Sequence, residues 1–204
     1  MSISAKYTYR IILLFAINMA TILPCIAGSY EYSLDNFIEE LSIYPNGAGY
    51  KDYIRNSLLS AHEYYVEKKS KKKYENLLRS ADSISDKNIT VLIYARIAGD
   101  YADLSDAECF SILEKGFAIA RKYNSIEGKL QLLQVKSYIK TKQKLSFSER
   151  LFLIEELLQE ATKYKNNKSI AIAIKEKVFL FYSYEKLDSS VYYAKIALTK
   201  HQLL

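Results

Sequence analysis

The chain has 204 residues, half of them apolar and a quarter charged, which is enough to bury a core without a metal or a disulfide framework and excludes a disordered composition. Proline (2) and glycine (6) are too scarce to punctuate a β-sandwich, a barrel or a dinucleotide-binding unit, and the aromatic content rests on 19 tyrosines and no tryptophan. The formal charge of +6 is spread along the chain rather than gathered into a stripe, so nothing marks a nucleic-acid-binding face.

Residues 1–27 have the plan of a signal peptide. Lys6 and Arg10 precede an apolar run over 11–23, then come Pro24 and Cys25-Ile26-Ala27, with cleavage expected after Ala27. The run is shorter than the roughly 20 residues that cross a bilayer. An uncleaved anchor and a lipoprotein acylated at Cys25 are the alternatives, and Pro24 stands where a lipoprotein box carries a small residue. Cleavage would remove Lys6 and Arg10 and no acid, lowering the formal charge from +6 to +4, and would leave Cys109 as the sole cysteine, so packing must supply the stability.

Residues 28–49 read as an N-terminal cap: a short helix over 33–42 and a turn at Pro45-Asn46-Gly47. The repeat domain then spans 50–204. Its periodic runs alternate as 50–67 and 74–83, 89–104 and 107–123, 126–142 and 149–164, 169–186 and 189–204, with apolar residues at helical spacing such as Phe110, Leu113, Phe117 and Ala120. The second run of each pair closes near Ala81, Ala120, Ala161 and His201, at spacings of 39, 41 and 40 residues. Ser105 precedes Glu108, and Ser146 precedes Glu149, by the three residues of a capping box, and Asp188 stands at the equivalent place in the last pair. Modest residues recur where two helices must cross: Ser57, Ala98, Ser137 and Val178.

With these residues the chain resembles the tetratricopeptide family. The closest stretch is 184–198, where Ser190 and Ala197 stand at the two small positions of the second helix, Leu187 at the turn and Phe181 at the tyrosine position of the first helix; Cys109 and Gly116 take the small roles in the second unit. The period near 40 is longer than the family's usual value of about 34, and the early tryptophan and closing proline are missing. The resemblance implies an all-α, right-handed solenoid of four antiparallel helix pairs. It also implies a groove on the first helices that clasps a peptide, lined by Gln134, Tyr138, Lys175, Phe179 and Tyr182.

Other chemistry is sparsely represented. His62 and His201 have no partner at metal-ligand spacing, Glu39-Glu40 and Glu155-Glu156 diverge on a helix, and no phosphate loop or nucleophile elbow is present, so no catalytic residue, metal or cofactor is expected. The run Lys68-Lys69-Ser70-Lys71-Lys72-Lys73 reads either as a solvated loop or as a contact for an anionic surface. The expectation is a non-catalytic scaffold or adaptor in the bacterial cell envelope, periplasmic or envelope-associated, that binds another protein or peptide, with no nucleic acid and no strong membrane binding after cleavage. Self-association through an uncapped last helix pair is a further expectation, since a solenoid end with an apolar face needs a cover. The alternative is the truncated ligand-sensing half of a tetratricopeptide-containing, membrane-spanning transcriptional regulator.

Overall fold

The computed structural model describes residues 34–41, 47–104, 107–142 and 145–201. The signal-peptide segment 1–27, Pro45-Asn46 and Ser105 lie outside the described residues, as do the side chains of Ala197 and His201. The chain divides into two units, 1–37 and 38–204, and the boundary falls inside the first described helix, α1 (Leu34–Leu41). The described part of the first unit is the start of that helix, where Phe37 is buried.

Among its described residues the second unit consists of helices and short links: after the end of α1 come α2 (Gly47–Lys68), α3 (Lys72–Asp82), α4 (Lys87–Asp103), α5 (Cys109–Tyr123), α6 (Ile126–Lys142), α7 (Phe147–Lys163), α8 (Asn167–Ser183) and α9 (Leu187–His201). Caps set the starts. The Asp86 carboxylate accepts from Asn88 N at 3.0 Å ahead of α4, and Asn166 Oδ1 accepts from Ser169 N at 2.8 Å ahead of α8. Ser146 and Glu149 form the expected capping box at α7. At the start of α5, Glu108 is the N-cap residue, makes no side-chain cap bond and pairs with Lys71 at 2.8 Å, while its expected box partner Ser105 is not among the described residues; Asp188 lies inside the first turn of α9.

The helix ends explain the short links. Asn124, Lys165 and Glu185 adopt left-handed backbone (φ 52, 54 and 56), and each is bracketed by the same pair of bonds. At α5 these run from Ser125 N to Ala120 O and from Asn124 N to Arg121 O; at α8 they run from Lys186 N to Phe181 O and from Glu185 N to Tyr182 O. That is the Schellman stop, made here without glycine. It ends α8 at Ser183, short of the 186 that periodicity alone suggests.

Each helix from α2 to α9 packs on the next, and α4 also packs on α6. Helix α4 therefore meets α3, α5 and α6, and nearly all of it from Ile89 to Ala102 is buried, so it has no polar face. Two glycines allow this. A Cβ at Gly116 of α5 would lie 2.8 Å from Leu132 Cδ2 on α6 and 3.2 Å from Tyr94 Cβ on α4, and one at Gly128 of α6 would lie 2.8 Å from Val91 Cβ on α4. Cys109, 4% exposed, fills the small packing role expected of it.

Gly49, inside α2, has open space where a Cβ would go. Gly49→Ala should therefore stabilise by about 0.5–1 kcal/mol through helix propensity, whereas Gly128→Ala should cost about 1–3 kcal/mol through overpacking against the β-branched Val91. Urea unfolding midpoints of the two variants should move in opposite directions.

Candidate functional site

The first helices of the expected pairs, α4, α6 and α8, are stitched by side chains. The Tyr138 hydroxyl donates to Asp103 across α6 and α4. Between α6 and α8, Ser137 Oγ donates to Glu176 Oε2 at 3.0 Å and Gln134 Nε2 to Ser169 Oγ at 3.3 Å, while Asn166 Nδ2 donates to Glu127 Oε2 at 2.7 Å. Burial pushes the Glu176 carboxyl above its ordinary range against the opposing pull of the Ser137 hydroxyl, Arg150 and Lys175.

These bonds sort the expected groove residues. Gln134 is 7% exposed and belongs to the joint between α6 and α8. Tyr138 is half-buried with its hydroxyl committed to Asp103. Lys175 and Phe179 are half-buried and Tyr182 is 47% exposed, and their spacing along α8 puts all three on one stripe. Glu176 of the same helix faces α6, and Lys177 faces α7, where its ammonium meets Glu155 at 2.5 Å.

The end of α8 carries an aromatic chain that periodicity does not show, because its members come from three helices. Ring centroids step from Tyr184 to Phe147 (5.2 Å), Phe147 to Phe181 (5.4 Å), Phe181 to Tyr193 (5.3 Å) and Tyr193 to Tyr192 (5.2 Å). Lysines stand on it: Lys186 Nζ lies 4.2 Å from the Phe147 centroid and Lys177 Nζ 4.3 Å from that of Tyr193. The Lys177 side chain is 4% exposed; burial pulls its pKa down, but the bonds to Glu155 and Tyr193 outweigh this and hold it above the ordinary value.

At the other end of the unit, the lysine run leans on tyrosines. Lys69 lies over Tyr65, Lys71 over Tyr101, and Lys73 over Tyr64 at 5.0 Å, so these lysines are anchored rather than loose. A cleft of about 400 Å³ opens between α2 and α3, lined by Tyr53, Asn56, Ser57, Ser60, Lys73, Asn76 and Leu77. Nearby, Asp100 is buried against the Tyr74 hydroxyl (3.3 Å) and Arg96 Nε (2.9 Å). Burial raises the Asp100 carboxyl above its ordinary range, opposed by Arg96 and His62, aided by Asp103 and opposed again by the Tyr74 hydrogen bond. Burial and then Asp100 likewise push the Tyr74 phenol up, so it remains a protonated donor.

Among the described residues no group of three or more His, Cys, Asp or Glu side chains could hold a metal ion, and no helix is long and apolar enough to cross a membrane. Comparison with family models, curated proteins and solved structures returned no match.

The raised Asp100 carboxyl fixes a sign. The folded state holds a proton more tightly than the unfolded chain, so the stability this group contributes is present below the unfolded pKa and is lost as pH rises through the folded one. Asp100→Asn removes that titration while keeping an acceptor for Tyr74. Its stability relative to the parent chain should improve as pH rises from about 4 upward, measured as the difference between urea unfolding free energies at each pH; a flat difference would contradict the assignment.

Proposed function

We propose that the chain is an exported, non-catalytic scaffold of the tetratricopeptide type, a right-handed solenoid of antiparallel helix pairs that binds a protein or peptide partner in the cell envelope. The packing order supports the architecture: each helix meets its successor and α4 also meets α6, as a stack of hairpins requires. The cross-links support antiparallel pairs. Tyr53 bonds Ser80 while Lys73 bonds Ser60, and Lys129 meets Glu160 while Lys136 meets Glu156, so contacts advance along one helix as they retreat along the other. The signal-peptide plan of residues 1–27 supports export.

The observation that carries the binding role is the stripe Lys175, Phe179 and Tyr182 on α8. Its three side chains lie at helical spacing on one face of α8, while Glu176 bonds toward α6 and Lys177 toward α7. A cation beside exposed or half-exposed rings suits a peptide: the rings give rigid contact area and the ammonium can pair with a carboxylate.

In affinity capture from a solubilised envelope, the triple change Lys175→Ala, Phe179→Ala and Tyr182→Ala should abolish recovery of the specific partner with helical circular dichroism unchanged. Phe152→Ala, at a residue 68% exposed on α7, should leave recovery intact. A partner kept by the triple variant would refute the α8 stripe as the binding surface.

A further inference from the structure

The cleft between α2 and α3 has no place in the peptide-binding reading, yet it is built unlike the close-packed seams of α5. Where α5 is drawn against α4 and α6 at Gly116, α2 and α3 set polar side chains toward each other: Asn56, Ser57 and Ser60 on one helix, Lys73 and Asn76 on the other. Two bridges hold the walls, Tyr53 to Ser80 (3.2 Å) and Lys73 to Ser60 (2.5 Å), and the buried Leu77 contributes an apolar patch to the lining. At about 400 Å³ the recess lies within the range of roughly 300–1,000 Å³ typical of small-ligand pockets.

Its hydrogen-bonding pattern has a direction. The oxygen of Asn76 is occupied, because Arg79 Nη2 donates to Oδ1 at 2.5 Å, which leaves the Asn76 amide with its NH₂ donors. Ser60 Oγ accepts from the Lys73 ammonium and so keeps its own O–H to donate, and Lys73 retains two further N–H donors. No carboxylate lines the cleft, and its one charged lining residue is Lys73. Donors and a cation converging beside Leu77 and the half-exposed Tyr53 ring call for an oxyanion attached to a small apolar body.

We propose that this cleft is a binding site for a small ligand with an oxyanion head, a phosphate ester or a carboxylate, whose head is held by Lys73, Ser60 and Asn76 and whose apolar part rests on Leu77 and Tyr53. A free metabolite and an anionic lipid headgroup present the same chemistry. The site is separate from the α8 stripe and stands whether or not that stripe binds a peptide.

The test is a titration of the full chain with phenyl phosphate, followed by the amide resonances of residues 53–60 and 73–77 at physiological salt, with phenol as the uncharged control. Saturable shifts confined to those residues are expected with phenyl phosphate and absent with phenol. Lys73→Met should weaken binding by about tenfold or more, and Ser60→Ala should weaken it less, whereas Lys72→Met, one residue away on the same helix, should change it by less than about twofold. Vesicles of phosphatidylglycerol provide the second arm. Binding to vesicles that falls with Lys73→Met and not with Lys72→Met, without response to phenyl phosphate, would support the same oxyanion site and assign its source as a lipid. Equal losses in the two lysine variants would reduce the effect to diffuse charge and overturn the proposal, as would shifts with phenol equal to those with phenyl phosphate, or no response in either arm.

Discussion

Helix α4 is enclosed because its neighbours can approach its backbone, and the rest of the unit is arranged around that approach. Gly128 brings the start of α6 against Val91, and Gly116 lets α5 sit against both α4 and α6. A methyl group at either position would lie within 3.0 Å of a neighbouring side chain, so the spacing of the three helices is set by the absence of two Cβ atoms. Since each apolar square ångström removed from water is worth about 25 cal/mol, a helix whose residues from Ile89 to Ala95 are all buried is a main contributor to the cohesion of the unit.

Polar groups trapped by this packing are provided for individually. Thr90 donates to the Ala81 carbonyl at 2.8 Å, Tyr94 to Asp82 at 2.9 Å and Tyr74 to Asp100, so the buried hydroxyls tie α4 to α3 as well as the apolar contacts do. Away from α4 the seams loosen in two different ways. Between α2 and α3 facing polar residues leave a cleft, and around α7, α8 and α9 a chain of rings fills the space with Tyr192 and Tyr184 open to solvent at its ends. The closest helix approaches thus lie at α4, α5 and α6, while the polar cleft and the chain of rings lie on the helices before and after them in the sequence.

Much of this was legible as helical periodicity. Residues 126–142 are the span of α6 both by pattern and by structure, and the Ser146–Glu149 box marks α7 because both partners lie on one strand of sequence three residues apart. The equivalent box at Glu108 rests on Ser105, outside the described residues, but the pairing of the Glu108 carboxylate with Lys71, 37 positions away in the chain, could not be read from local spacing. Helix ends were harder to read because Asn124, Lys165 and Glu185 occupy a conformation whose usual marker is glycine. In the site, Lys175, Phe179 and Tyr182 share a stripe as their spacing requires, but no pattern within α6 distinguishes a glutamine that lines a groove from Gln134, which bonds to Ser169 of a helix 35 residues on. The α2–α3 cleft was hidden for a related reason: Asn56, Ser57 and Ser60 read as the ordinary polar face of an amphipathic helix until α3 is seen opposite them.

The most direct test of the account is native-state hydrogen exchange of the full chain, resolved by residue. If the close packing of α4 holds the unit together, amides of Ile89–Ala102 should exchange slowest and with one common free energy, that of global unfolding, while α9, which packs on α8 alone among the strongly contacting helices, should open at lower cost. Amides of α4 exchanging as fast as those of α9, or protection highest in α2 and α3, would contradict it.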